Sequence, residues 1–159
     1  MLEIEKKFLV SNDKWRTNII QQDHILQFYI SPQNSIPTVR LRLKGDTGYL
    51  TIKYPSSTQH ILSRPEYEYE IPKSHIEAQK PFAIGQFIEK IRYQVEDEFG
   101  QLWEIDEFSS PRCGLVLAEI ELAQITDKVQ LPEWVGKDVT ADKQYSNQVM
   151  SYSSDETSE

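Results

Sequence analysis

One cysteine, three histidines and six glycines are all that 159 residues supply of the types from which most metal, nucleophilic and nucleotide sites are built. The single Cys113 excludes an intrachain disulfide and a multi-cysteine zinc site, and fits a reducing compartment, so a cytoplasmic protein is expected. His24, His60 and His75 all fall outside the charged alternating stretches, and neither H-E-x-x-H nor a Ser/His/Asp signature occurs. There is no Walker-type glycine-rich loop to cradle a nucleotide. No apolar run approaches the roughly 20 residues of a membrane span, and no basic and apolar leader precedes the first strand pattern, so no membrane partner is expected. Positive charge is scarce as well. Seventeen Lys and Arg stand against 25 Asp and Glu, a net charge of −8, which argues against a nucleic-acid polymer as partner. An acidic exterior is still compatible with a basic lumen.

What the chain has instead is a repeated pattern of two charges flanking an apolar residue. Its first residues, Met1-Leu2-Glu3-Ile4-Glu5-Lys6-Lys7, put Glu3, Glu5 and Lys7 on one face of a strand, with Ile4, Phe8 and Val10 on the other. Arg40-Leu41-Arg42, Glu66-Tyr67-Glu68, Lys90-Ile91-Arg92, Glu104-Ile105-Asp106 and Glu119-Ile120-Glu121 repeat it. One such strand is an ordinary half-solvated strand; six of them in one chain ask for a common explanation.

Eight strands are expected, at residues 3–10, 24–30, 38–44, 49–54, 66–71, 86–95, 102–108 and 114–122, with the Gly45–Gly48 stretch as the turn of a hairpin. Helical patches are expected at 11–20, at 72–87 and from a Thr140 cap through Tyr152. This pattern predicts an α+β fold, an eight-stranded antiparallel closed barrel with helices packed outside and a charged interior. One domain over residues 1–152 and a frayed tail at 153–159 are expected.

Helices covering the outside need an apolar surface, which leaves the charged face of each strand to the lumen. Such a lumen is tolerable only with mixed, paired and solvated charges, and Lys7, Arg40, Arg42, Lys53, Lys90 and Arg92 indeed alternate with carboxylates. The cations suit a ligand with several phosphates, and the carboxylates, with no His or Cys nearby, suit a hard divalent ion such as Mg²⁺ or Mn²⁺. Together they suggest metal-assisted phosphoryl transfer on a small-molecule polyphosphate.

The opening E-x-E-x-K and the charged strands that follow it resemble, in order, the CYTH superfamily of triphosphate tunnel metalloenzymes. The resemblance covers residues 1 to about 150. It implies that Lys7, Arg40, Arg42, Lys53, Lys90 and Arg92, together with Lys143 from the C-terminal segment, bind the triphosphate. It implies a metal set of Glu3, Glu5, Asp106, Glu119 and Glu121, and a catalytic set of Glu5, Lys7, Glu68 and Asp106. The activity it implies is metal-dependent hydrolysis of inorganic triphosphate to diphosphate and phosphate. A class IV adenylate cyclase, a thiamine or nucleoside triphosphatase, and a non-catalytic polyphosphate binder are the alternatives. Whether the chain is a monomer or a homodimer stays open, as does a role for Tyr29.

Overall fold

The computed structural model describes residues 2–55 and 63–153, without the side chains of Leu2, Glu3 and Ser63. The expected tail beyond Ser153, and His60 with most of its loop, lie outside the described residues. Nine strands are present among them: β1 (Leu2–Val10), β2 (Ile19–Tyr29), β3 (Thr38–Lys44), β4 (Thr47–Lys53), β5 (Ser63–Ile71), β6 (Ile84–Glu96), β7 (Leu102–Ser110), β8 (Val116–Glu121) and β9 (Val135–Asp138). The helices α1 (Lys73–Gln79) and α2 (Asn147–Tyr152) accompany them, together with short 3₁₀ turns.

All pairings are antiparallel, in the order β5-β4-β3-β2-β6-β7-β8-β1-β9. Leu2, Glu3 and Ile4 also pair with Pro65, Arg64 and Ser63, which joins β5, the first strand of that order, to β1 near its other end. The eight-stranded barrel is as expected. The ninth strand is not: β9 is four residues long and pairs only with the end of β1, at Phe8 and Val10. Its sequence, Val-Gly-Lys-Asp, has no alternation long enough to mark it. β3 and β4 are joined by a two-residue turn whose Gly45 has φ 60°, a conformation that glycine adopts at no steric cost.

Two apolar clusters cover the outside. Around β1, β6, β7 and β8, Phe8, Tyr93, Val95, Trp103, Ile105, Ala118 and Ile120 are buried under Trp15 and Trp134. Trp15 sits on a 3₁₀ turn, Lys14–Asn18, that replaces the helix expected over 11–20; the chain re-enters a strand at Ile19. Around β2, β3 and β4, Phe28, Leu41 and Leu43 pack with Ile76 of α1. α1 lies so close to β4 that a Cβ on Gly48 would meet Ile71 O at 2.7 Å and Ile76 Cγ1 at 2.9 Å. Each fully buried large apolar side chain here contributes about 1.5–3 kcal/mol.

The C-terminal segment departs from expectation. Thr140 caps no helix; its Oγ1 accepts the Lys7 backbone N–H at 3.0 Å. Asp142 and Ser146 are the caps, of a 3₁₀ turn at Lys143–Tyr145 and of α2. α2 does not pack outside the barrel. Its Met150 joins Ile88, Phe108, Leu117 and Val139, with Leu9 against them. Ile88 is in phase with Lys90 and Arg92, Phe108 with Asp106, Leu117 with Glu119 and Leu9 with Lys7, so this cluster lies on the inward face. Apolar residues thus fill one part of the interior and charges line the rest.

Candidate active site

Alternation along seven strands brings the charged residues into one cavity of about 1360 Å³. Lining it are Glu5 and Lys7 from β1, Tyr29 from β2, Arg40 and Arg42 from β3, Lys53 from β4, Glu66 and Glu68 from β5, Arg92 from β6, Glu104 from β7, and Glu119 and Glu121 from β8. Lys143, though exposed, also lines it. The side chain of Glu3 lies outside the described residues.

Most cations are matched to a carboxylate across a strand pair. Lys53 faces Glu66 at 3.4 Å, and Arg40 faces Glu68 at 3.8 Å while donating to Thr51 Oγ1 at 3.1 Å. Thr51 in turn donates to Glu68 at 3.2 Å. Lys7 donates to the Tyr145 carbonyl at 3.1 Å, which ties the C-terminal segment to the lumen.

The most heavily bonded carboxylate is Asp106, which was expected among the metal ligands and catalytic groups. Lys90 Nζ donates to its Oδ2 at 2.7 Å, and Arg92 grips both oxygens, at 2.8 and 2.9 Å. Asp106 is 1% exposed and does not line the cavity. Burial alone would raise its pKa, but Arg92 and Lys90 prevail and hold it far below the usual carboxylate range. Its oxygens already receive three donors, which makes Asp106 the anchor of two cations.

Lys90, expected as a substrate ligand, is buried behind the lining, between Asp106, Asn147 Oδ1 at 3.1 Å and the Phe108 ring. Burial, opposed by Asp106 but reinforced by Arg92 and Arg42, lowers its pKa to about 7. Arg92 is the opposite case. Burial would lower it, yet Asp106 with Glu104 and Glu119 raises it well above an ordinary guanidinium, and it reaches the lumen beside Glu104 at 3.3 Å.

Beyond Asp106, the carboxylates of β7, β8 and β1 form a wall. Strand register sets Glu5 opposite Glu121 and Glu104 opposite Glu119. Burial would raise Glu119, but Lys7 and Arg92 hold it down at about 2.

With that geometry in view, a family model described as the CYTH domain matches residues 1–151. The chain belongs to the CYTH family. Over 149 residues it is 39% identical to a protein of Acetivibrio thermocellus named inorganic triphosphatase, covering 91% of this chain and 90% of that protein. It is 33% identical over 156 residues to a protein of Nitrosomonas europaea with the same name, covering 96% and 99%. A crystal structure of an inorganic triphosphatase aligns with a TM-score of 0.74 at 30% identity, over 96% of this chain and 99% of that one.

CYTH membership raises the question of a divalent ion, and the donor set fits one. Among the described residues, no three His, Cys, Asp or Glu side chains form a group that could hold a metal ion unaided. Hard divalent ions are also held by one or two carboxylates, with the remaining positions left to water and substrate phosphates. Glu5 and Glu119, with Glu121 opposite Glu5, line the cavity and would supply such oxygens.

Gln27 and Asn147 were missed by the charge pattern, the role of Tyr29 was left open, and Arg64 of β5, which lines the cavity, was not among the expected site residues. Gln27 and Tyr29 follow the same i, i+2 phase on β2, but as uncharged residues in an apolar stretch they carried no charge signal. Asn147, which accepts from Lys90, reaches the site only through the docking of α2. Among the histidines, His24 is exposed near Glu89 and His75 is exposed on α1.

Proposed function

We propose that this chain hydrolyses inorganic triphosphate to diphosphate and phosphate in a divalent-metal-dependent reaction. The observation that carries the reading is one cavity with a guanidinium wall, Arg40, Arg42 and Arg92, together with a carboxylate wall, Glu5, Glu104, Glu119 and Glu121. An elongated polyanion suits the first wall and a hard cation the second.

In this reading Arg40, Arg42, Lys53 and Arg92 hold the phosphate chain, with Lys7 and Lys143 at its sides. Glu5, Glu119 and Glu121 hold Mg²⁺ or Mn²⁺, with Glu3 as a further ligand. Once bound, such an ion neutralises phosphate charge that would otherwise repel the incoming nucleophile. The protein's own groups do the positioning. Water adds to a terminal phosphorus and the bridging P–O bond breaks, leaving diphosphate. Glu68 orients that water and takes its proton; what supports this is that one of its oxygens accepts from Thr51 and that its side chain is open to the lumen. Asp106 and Lys90 act from behind the lining by fixing Arg92.

Hydrolysis needs only the phosphate chain and a placed water, whereas cyclisation would require a held nucleoside. Phosphate release should therefore be measured on triphosphate, ATP and thiamine triphosphate, each with Mg²⁺ and Mn²⁺, with the products identified. A much higher kcat/KM for triphosphate supports the reading. Cyclic AMP and diphosphate as main products of ATP would replace it.

A further inference from the structure

Arg40, Arg42 and Arg92, three of the four arginines that line the cavity with Arg64, are held in different ways. Arg92 is clamped by both oxygens of Asp106, and Arg40 lies between Thr51 and Glu68. Among the described residues, Arg42 is paired with no carboxylate. Its Nε donates at 2.8 Å to Oε1 of Gln27, directly opposite it in the β2–β3 register. A guanidinium can only donate, so this contact fixes which way the amide faces. The Gln27 Nε2 donor is then left buried without a partner among the described residues, on a side chain that is itself 0% exposed.

A buried amide with one unmet donor is costly, and a residue kept for packing alone would be better replaced by an apolar one. A neutral acceptor does something here that neither an apolar residue nor a carboxylate can. It orients the guanidinium while leaving its charge uncompensated. Burial, with Arg40 and Arg92 nearby, lowers the Arg42 pKa to about 9, still charged at neutral pH.

We propose that Gln27 is a positioning residue for anion binding, aiming the Arg42 fork into the lumen while keeping its full positive charge available to a phosphate chain. This deepens the triphosphatase reading and rests on it for the ligand's identity.

The test is a double-mutant cycle read by calorimetric binding of tripolyphosphate, with turnover and thermal melting measured in parallel. Gln27→Met should weaken tripolyphosphate binding about tenfold in the wild-type background, the scale of one misplaced charge-assisted contact, and less than about twofold in an Arg42→Ala background. Gln27→Glu, nearly the same shape, should weaken binding by at least about tenfold while the melting temperature holds or rises, because the new carboxylate pairs with Arg42. Since Gln27→Glu preserves shape, it keeps the test decisive if Gln27→Met fails to fold. The proposal is overturned if Gln27→Met costs the same with and without Arg42, if Gln27→Glu lowers melting temperature and affinity together, or if the wild type does not bind tripolyphosphate. Wild-type binding with the expected cycle but no turnover would sink the hydrolase reading and leave the role of Gln27 standing.

Discussion

Asp106→Asn discriminates most sharply between the role expected from the charge pattern and the role the fold assigns. The substitution keeps the shape and removes the charge that three donors share, at 2.7, 2.8 and 2.9 Å. Removing one partner of a buried ion pair typically costs about 3–5 kcal/mol, because the remaining charge is left uncompensated. For a chain of this size, each 1 kcal/mol moves the melting temperature by about 2–4 °C, so a drop of roughly 6–20 °C is expected.

The loss should also depend on pH, with a sign set by Lys90. In the wild type Lys90 titrates at about 7, and Asp106 is the first of the groups that raise it. Without Asp106 its pKa falls further, so below pH 7 the wild-type fold binds a proton that the variant fold does not. The stability gap should therefore widen as pH falls from 7 toward 5, by up to about 1.4 kcal/mol per unit. Chemical denaturation at pH 5, 6, 7 and 8 reads this directly. A melting temperature within about 2 °C of wild type, together with a raised metal requirement, would restore Asp106 to the metal ligands and refute the anchoring role.

EDTA should abolish turnover, and Glu5→Gln or Glu121→Gln should do nearly the same at ordinary metal concentrations; full activity in metal-free buffer would rule the carboxylate wall out as an ion site. Arg42→Ala should raise KM for triphosphate about 10- to 150-fold, corresponding to about 1.5–3 kcal/mol for a lost charge-assisted bidentate contact, with folding retained; unaltered kinetics would place Arg42 outside the substrate path. Lys90→Met should melt differently from wild type in a pH-dependent way. Because the folded pKa of Lys90 is lowered to about 7, the unfolded wild-type chain holds an extra proton above that pH, so wild-type stability should gain on the variant as pH rises from 7 toward 10. A constant gap would mean that Lys90 is not held in the state described.

The barrel was legible because its evidence is local and periodic. Arg40-Leu41-Arg42 or Glu119-Ile120-Glu121 states both its strand and its two faces, and a period of two survives any detail of packing. β9 and the C-terminal segment were not, for a common reason: each is defined by what it docks on. β9 exists through pairing with Phe8 and Val10, and α2 turns inward because Met150 fits against Ile88, Phe108 and Leu117. The same limit applied within the site. Charge type marked Asp106 and Lys90 as lumen residues, and both do lie on the inward-facing side of their strands. Depth behind the lining is set by three-dimensional neighbours, and depth separates a ligand from the anchor of a ligand. Gln27 is the converse case, a residue with no charge to announce it whose importance comes from facing Arg42.

The placement of charges also explains why one cavity suits two ligands of opposite sign. Across strand pairs, opposite charges directly facing one another are favourable and like charges are costly. Lys7 opposite Glu119, Arg92 opposite Asp106 and Lys53 opposite Glu66 follow the favourable rule. Glu5 opposite Glu121 and Glu104 opposite Glu119 break it, on the adjoining strands β7, β8 and β1. A second imbalance sits on β3 and β6, where Arg42 is destabilised by Arg40 and Arg92 together. The protein's own groups offset part of each: Arg92 reaches Glu104 at 3.3 Å and, with Lys7, holds Glu119 down, while Asp106 favours the charged form of Arg42. In the proposed reading a divalent cation would offset the first and a polyphosphate the second. Each also attracts the other, so Mg²⁺ and tripolyphosphate should each bind more tightly in the presence of the other, and calorimetric titrations showing independent binding would refute this.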